Sequence, residues 1–483
     1  MRSPRRPRPL FLLPSLLLTA LALAAGCAPL RHQPRPLDPE ASAARLEARS
    51  LADPALRDYL ATQGQPREPW PRAAWDLPAL TLAAVFHHPE IELARARARL
   101  AGAERHTSTT RPPWTLTLRP EYDSRSGGTP WGVGVLVGLP LDVGGKRRAR
   151  TEQLARLEEA AVLEVAVATW RVRSRLRRHF ADLHAAGETR RALEAEQTER
   201  ARLLTLVQRR EAAGLASGAD TASLRLRLAE GELALRRSVV RQEQALGALA
   251  EAAGVPLGQL RAVRLDFTAV AAAPPVPPAA ALQRAALTHR IDLRRKLADY
   301  AAAEAALRLE VARQYPDVNL LPGFAWNDDE GIWSLATLAL VPPGARTRAL
   351  VREAELRREI EEKAFLALQG AVIADAQAAA ARHAAAAAAH EAARRMEEEA
   401  AIRGRQVERQ FERGHADRME LVQARLEAAV ARRGALTALL ELQQGLAAVE
   451  DALQRPLDNP DLLASVPVAA AVQTVPQSPV DDD

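Results

Sequence analysis

Residues 131–150 read WGVGVLVGLPLDVGGKRRAR, and the change of pattern inside them decides the architecture. Val133, Val135, Val137 and Leu139 alternate against Gly132, Gly134 and Gly138, a period of two that makes one strand face apolar and the other nearly bare. Pro140 is expected to end the strand, and helical patterning begins near Lys146. From Lys146 to Ala212, 67 residues, there is no proline and only Gly187 as a breaker. As one helix this run spans ~100 Å, more than a single globular domain holds.

Working outward, Trp114 to Tyr122 and the polar turn Asp123 to Pro130 complete a β-hairpin with the strand at 131–139. Along the rod Leu154, Leu157 and Ala161, then Val172, Leu176, Phe180 and Leu183, fall at helical spacing, with Arg171, Arg173, Arg175, Arg177 and Arg178 between them. So narrow an apolar stripe favours coiled-coil-like packing of helix on helix. The rod ends at Ala213 to Asp220, where Gly214 suits a left-handed helix end and Ser217 or Asp220 can cap a return helix reaching about Ala253.

The pattern is written twice. Ile91-Glu92-Leu93 matches Ile291-Asp292-Leu293, Gly214 matches Gly414 and Pro256-Leu257 matches Pro456-Leu457 at an offset of 200, while Trp131 matches Trp333 at 202. Ordered matches with little drift indicate a duplicated large unit. In the second copy, strands at 318–326 and 332–340 flank Asn327 to Gly331, a 67-residue run follows from Arg346 to Glu412, and the turn Gly414 to Asp417 leads to a return helix ending near Leu453. A helix opens each copy, at 80–108 and 280–314, and supplements a return helix about half as long as its rod. The fold class is mainly α with a small β component. The expected layout is an export signal at 1–26, an N-terminal segment at 27–79 with a short helix between Pro39 and Thr62, repeats at 80–257 and 280–457, a Pro-rich linker at 258–279 and a disordered tail at 458–483.

Arg2, Arg5, Arg6 and Arg8 precede an apolar run from Leu10 to Ala25, the pattern of an export signal. Without those residues the formal charge of +6 falls to +2, and acids and bases alternate along the helices, so a nucleic-acid-binding role is disfavoured despite the pI near 10.0. The single cysteine, Cys27, directly follows Ala24-Ala25-Gly26, which resembles a bacterial lipoprotein signal, with Ala24 where such signals usually carry leucine. An ordinary cleavage site with an incidental cysteine is the alternative. Under the lipoprotein resemblance Cys27 carries acyl chains, and Ala28 in place of aspartate directs the protein to the outer membrane.

Four short strands cannot close a barrel, and open sheet edges are not tolerated in lipid. Trp114, Trp131, Trp326 and Trp333 lie in or beside the strands, as in a membrane-interface girdle; two soluble hairpins packing their aromatics into a small core is the competing reading. With the export signal, the junction Leu139-Pro140-Leu141-Asp142-Val143-Gly144-Gly145-Lys146 and the tip Gly214-Leu215-Ala216-Ser217, the chain resembles the outer-membrane efflux protein family, the TolC-like channels, over residues 80–457. The shortened junction Val341-Pro342-Pro343-Gly344-Ala345-Arg346 departs from the family pattern.

The resemblance implies a homotrimer with a twelve-stranded transmembrane β-barrel continuous with an α-helical tunnel. It also implies a passive outer-membrane duct joined through a periplasmic adaptor to an inner-membrane transporter. Gly214, Leu215, Ser217, Gly414 and Asp417 fall where the adaptor docks, or only turn and cap the helices. Asp220 and Asp417 are candidates for a pore constriction, or for helix caps. An enzyme is disfavoured: there is no phosphate loop, no His-Glu-x-x-His pair, no nucleophile elbow and no thiol beyond Cys27. His87, His88, His289, His383 and His390 lack metal-ligand spacing, so no metal or cofactor is expected. The remaining alternative, a periplasmic coiled-coil adaptor or structural lipoprotein, needs one helical hairpin, not two alternating with paired strands.

Overall fold

Capping residues and prolines set the element boundaries, and they divide the chain more finely than its periodicity does. The structure, a computed structural model, describes residues 32–110, 113–122, 131–271, 274–327 and 330–460. The export signal with Cys27, the first hairpin turn and the tail from 461 lie outside the described residues. Packing separates Met1–Ala48 from Arg49–Asp483. In the first unit Asp38 caps α1 (Pro39–Glu47), accepting from the Glu40 and Ala41 amides at 2.9 and 3.2 Å.

The second unit begins with α2 (Pro54–Thr62), capped by Asp53, so the single helix expected between Pro39 and Thr62 is two. The helix expected at 80–108 is likewise divided, into α3 (Leu77–His87) and α4 (Pro89–Thr109). His88 precedes a proline and is therefore extended, and its Nδ1 accepts the Glu90 amide at 3.2 Å. Then come β1 (Thr115–Tyr122), β2 (Trp131–Leu141), α5 (Lys146–Ala212), α6 (Gly218–Ala253) and α7 (Leu257–Arg261).

The second copy runs α8 (Ala279–His289), α9 (Ile291–Ala312), β3 (Asp317–Asn327), β4 (Glu330–Leu340), α10 (Gly344–Glu412) and α11 (Arg418–Leu453). Here too the opening helix is broken, at Arg290, with no proline to mark it. Its cap is distant: Gln454 Oε1 accepts the Ile291 and Asp292 amides at 2.9 and 3.1 Å. Pro140 does not end β2. Thr115, the first residue of β1, pairs with Gly138, so beyond it β2 has a neighbour on one side only, where a missing donor is tolerated.

The four strands form one antiparallel sheet in the order β1-β2-β3-β4. The helices pack as a layer in which α5 contacts α6 and α11 along its lower length and α4 and α9 along its upper length, while α10 contacts α11 and α9. Leu56, Leu60, Leu80, Leu176, Phe180 and Leu249 join α2, α3, α5 and α6 in the largest core. Within the N-terminal segment expected at 27–79, residues from Leu51 onward contribute to the first copy's core, with Trp75 fully buried. A smaller equivalent core joins Leu282, Val372, Ala376, Val449 and Leu453.

One buried ionic cluster ties the copies together. Arg173 of α5 donates to Glu450 of α11 at 2.7 Å, both 2% exposed at the side chain, and Arg177 approaches the same carboxylate at 3.1 Å. Glu450 also accepts the Leu457 amide at 2.8 Å. Removing one member of such a group strands a buried charge, at a cost of about 3–5 kcal/mol, whereas an apolar pair of like volume is often neutral. Glu450→Ala is therefore expected to lower the thermal unfolding midpoint sharply, and Arg173→Met and Arg177→Met with Glu450→Leu to recover most of the loss, read by circular dichroism; equal losses in both would contradict this account.

Candidate functional site

The pairing register sorts the sheet into two faces. Antiparallel partners share a face, and Leu118 pairs with Val135, Val135 with Phe324 and Phe324 with Trp333. One face thus carries Leu116, Leu118, Val133, Phe324, Trp333 and Leu335; the other carries Thr117, Arg119, Gly134, Gly323 and Ser334, with Leu136, Leu321, Ile332, Leu338 and Leu340 among them. The apolar face is not a core. Leu118 is 64% exposed, Trp333 83% and Leu335 71%, and no helical layer covers either face among the described residues. This removes the reading in which two soluble hairpins bury their aromatics.

Trp326 and Trp333 lie near the β3–β4 turn with Tyr122 at the same end of the sheet, and Trp131 opens β2 there. Phe324 and Trp333 rings stack obliquely at 4.9 Å. Trp114 stands just before β1 at the opposite end, exposed, with Tyr315 just before β3. Eight strand residues at ~3.3 Å each separate these two aromatic levels by about 26 Å. β1 and β4 are the sheet edges, and among the described residues neither has an outer partner strand.

The sheet is fastened to the helices where the glycines of the opening sequence lie. Gly144 has φ +77°, and Tyr315 lies so close that a Cβ there would collide with its ring. Lys146 Nζ donates to Tyr315 O and to Asp317 Oδ1, both at 2.7 Å. The first copy's junction is thereby held against the start of β3.

The helical layer also has two edges, α6 and α10. On α6, Thr221, Gly231, Ser238 and Leu249 are buried, whereas Leu226, Leu233 and Val240, seven residues apart, form a second apolar seam that is 63%, 49% and 55% exposed. On α10 only Ala354, Val372, Ala376, Ala379 and Ala386 are buried, and exposed alanines occupy Ala381, Ala385, Ala388 and Ala392. Among the described residues α10 is also the one helix long and apolar enough, by length and composition, to cross a membrane. Much of that apolarity is the methyl groups of the alanine run.

At the far end of the rods the two tips have one design. Gly214 and Gly414 have φ +73° and +75°, and the Leu215 and His415 amides donate back to Arg210 O and Gln410 O, both at 2.8 Å. Ser217 caps α6 in a capping box with Asp220, and Asp417 caps α11 in one with Glu420. The Ser217 hydroxyl and amide hold the Asp220 carboxyl below the usual range. Asp417 also pairs with Arg210 at 3.0 Å, and Leu203, Val207 and Val422 pack the two tips together. Leu215 projects, 75% exposed. The structure thus brings the tip residues together and leaves the tryptophans on the distant sheet. Glu420 was overlooked in the sequence, although Asp417-x-x-Glu420 is a capping-box spacing.

Of the histidines, His87 and His88 are buried in packing, and burial pushes both below the ordinary histidine value. Among the described residues no three His, Cys, Asp or Glu side chains are grouped to hold a metal ion.

No protein-family model matches the chain, and no curated protein matches it by sequence. Solved structures do. The outer membrane protein VceC of Vibrio cholerae matches 78% of this chain and 96% of its own, with TM-score 0.63 and 17% identity. The CmeC outer membrane channel of Campylobacter jejuni matches 91% and 98%, with TM-score 0.64 and 13% identity. The MtrE outer membrane channel of Neisseria gonorrhoeae, in its open state, matches 78% and 88%, with TM-score 0.61 and 18% identity. At such identities the likeness is one of architecture: the chain has the fold of these outer-membrane proteins, over most of the length of each.

Proposed function

We propose that three copies of the chain close into one duct, the outer-membrane exit channel of a tripartite efflux or secretion system. The observation that carries this reading is the uncovered sheet, with exposed aromatic and aliphatic side chains on one face, Thr117, Arg119, Gly134, Gly323 and Ser334 interspersed with aliphatic residues on the other, and both edges open among the described residues. Three such sheets joined edge to edge make twelve strands with no edge left, apolar toward lipid and polar toward water. The helical layer closes in parallel, the Leu226–Leu233–Val240 seam of one copy lying on the alanine face of the next copy's α10. The alternative, a coiled-coil adaptor or structural lipoprotein without a pore, leaves the apolar face and both edges unexplained.

The duct moves cargo without bond chemistry, and energy comes from an inner-membrane transporter. In this reading residues 1–26 are the export signal, Cys27 carries the lipid, 27–79 is the N-terminal segment that it anchors and that joins the first core from Arg49 onward, the repeats are 80–257 and 280–457, the linker is 258–279, and 458–483 is a tail. The helices extend into the periplasm, where an adaptor docks on the tips. Exposed Leu215 and the paired turns at Gly214, Ser217, Gly414 and Asp417 support that role. Asp220 and Asp417 also sit where carboxylates in threefold array narrow the tunnel end, though Arg210 already offsets Asp417.

Three measurements test the reading. Extracted protein with Cys27→Ser is expected to still require detergent, to have a trimeric mass and to conduct across a planar bilayer; a detergent-free monomer without current would refute the duct. Leu118→Arg, on the apolar face, should cost about 2–4 kcal/mol of membrane-embedded stability, while the adjacent Thr117→Arg on the other face is tolerated. Asp417→Ala should loosen the tips; unchanged conductance and ion preference would leave Asp417 a cap and no gate.

A further inference from the structure

Two cavities open on one face of α5. The first, about 550 Å³, is bordered by Arg171, Arg175 and Arg178 of α5, Arg290, Arg382 of α10 and Asp451 of α11. The second, about 590 Å³, takes Asp182, Ala185, Thr189 and Leu193 from α5, facing Arg237 and Arg241 of α6 and Arg433 of α11. From 171 to 193 these α5 positions advance by three or four residues, so both cavities lie along one stripe. Val172, Leu176 and Leu183, which pack under α2 and α3, each follow a member of that stripe by one position, about 100° around the helix. The arginine stripe and the packed core therefore occupy different sides of α5.

In the threefold duct proposed above, twelve helices spaced ~8–10 Å apart enclose a bore of roughly 20–28 Å. Three copies of an extra helical layer, each ~10 Å thick, would fill it. The core of α2 and α3 consequently lies outside the ring, and the stripe lines the bore.

The stripe is short of carboxylates. Arg171 pairs with Glu90 and Glu164, Arg175 with the same Glu90, Arg290 with Asp292, and Arg433 with Glu196, which Arg200 also uses. Asp182 lies 3.7 Å from His179, and Asp375, which borders the first cavity, lies 3.8 Å from Arg290. Among the described residues Asp451 has no ion-pair partner, and no carboxylate lies within ion-pair distance of Arg178, Arg237, Arg241 or Arg382, although Arg178 Nε donates to Ser174 O.

We propose that this stripe makes the middle of the bore selective for anions, and that the cargo is negatively charged, a carboxylate- or phosphate-bearing compound. Twelve uncommitted guanidiniums, four from each copy, surround the path in two successive tiers, Arg178 and Arg382 at the first cavity and Arg237 and Arg241 at the second, where field lines focus in a low-dielectric wall. The inference rests on the duct reading, and its test separates the two.

Reversal potentials are measured in planar bilayers across a potassium chloride gradient near ~0.1 M, where screening extends only about 10 Å. Chloride is expected to be more permeant than potassium by roughly threefold or more. Replacing Arg178, Arg237, Arg241 and Arg382 together by alanine should bring the ratio to about one or below, and replacing them by lysine should preserve it. Arg382→Glu alone, at an exposed position on α10, should also lower it, which keeps the test decisive where the fourfold alanine variant fails to assemble. A channel that prefers potassium, or a ratio unmoved by these changes in an assembled trimer, overturns the anion site and leaves the duct standing. A wild-type protein that conducts nothing removes the duct itself.

Discussion

A backbone amide or carbonyl that has left water must find a partner, and this chain leaves two rows of them unmet. β1 and β4 bound a sheet only one layer thick, with no helical layer across its faces. In water such a sheet would be an aggregation template; in lipid it would be untenable. The same incompleteness runs down the helices, where α6 and α10 each bury one narrow seam and leave another bare. Both deficits have the same remedy, a further copy on either side, and a ring of identical copies is the arrangement that leaves none over.

Within one copy, the parts that meet no neighbour are the ones held most firmly. Gly144 lets the chain turn under Tyr315, Lys146 ties that turn to β3, and the Arg173–Glu450–Arg177 cluster joins α5 to α11. These contacts run between the first and second copies of the repeat, so the duplicated halves behave as one wall element. At the tips, glycine turns and reciprocal capping boxes finish both hairpins alike, and Arg210–Asp417 joins them.

Much of this was legible in the sequence because its signals are local. Alternation in 131–139, the proline-free run to Ala212 and the turn at Gly214 each depend on near neighbours, and a second writing of the same order reinforced them. Reading failed where a boundary is set from afar. Nothing near Arg290 announces a break, because its cap is the Gln454 side chain. Pro140 reads as a stop until the register shows β2 already beyond its first neighbour. Leu56 and Leu60, in the N-terminal segment, are sparse in a proline-rich context and carry no periodic signal, yet both are fully buried. The arginines between the apolar positions of α5 look alike in the sequence; only their distant partners distinguish Arg171 and Arg175, on Glu90, and Arg173 and Arg177, on Glu450, from Arg178, which meets no carboxylate among the described residues.

The Gln454 cap has a consequence in time. Ile291 and the side chain that completes its helix are 163 positions apart, and Arg173 and Glu450 are 277 apart. A polypeptide emerging amino end first can form its early hairpin and rod from local contacts, but these two fastenings await the end of α11. Until then the halves are joined loosely, and maturation of the wall is deferred until both of them have been delivered.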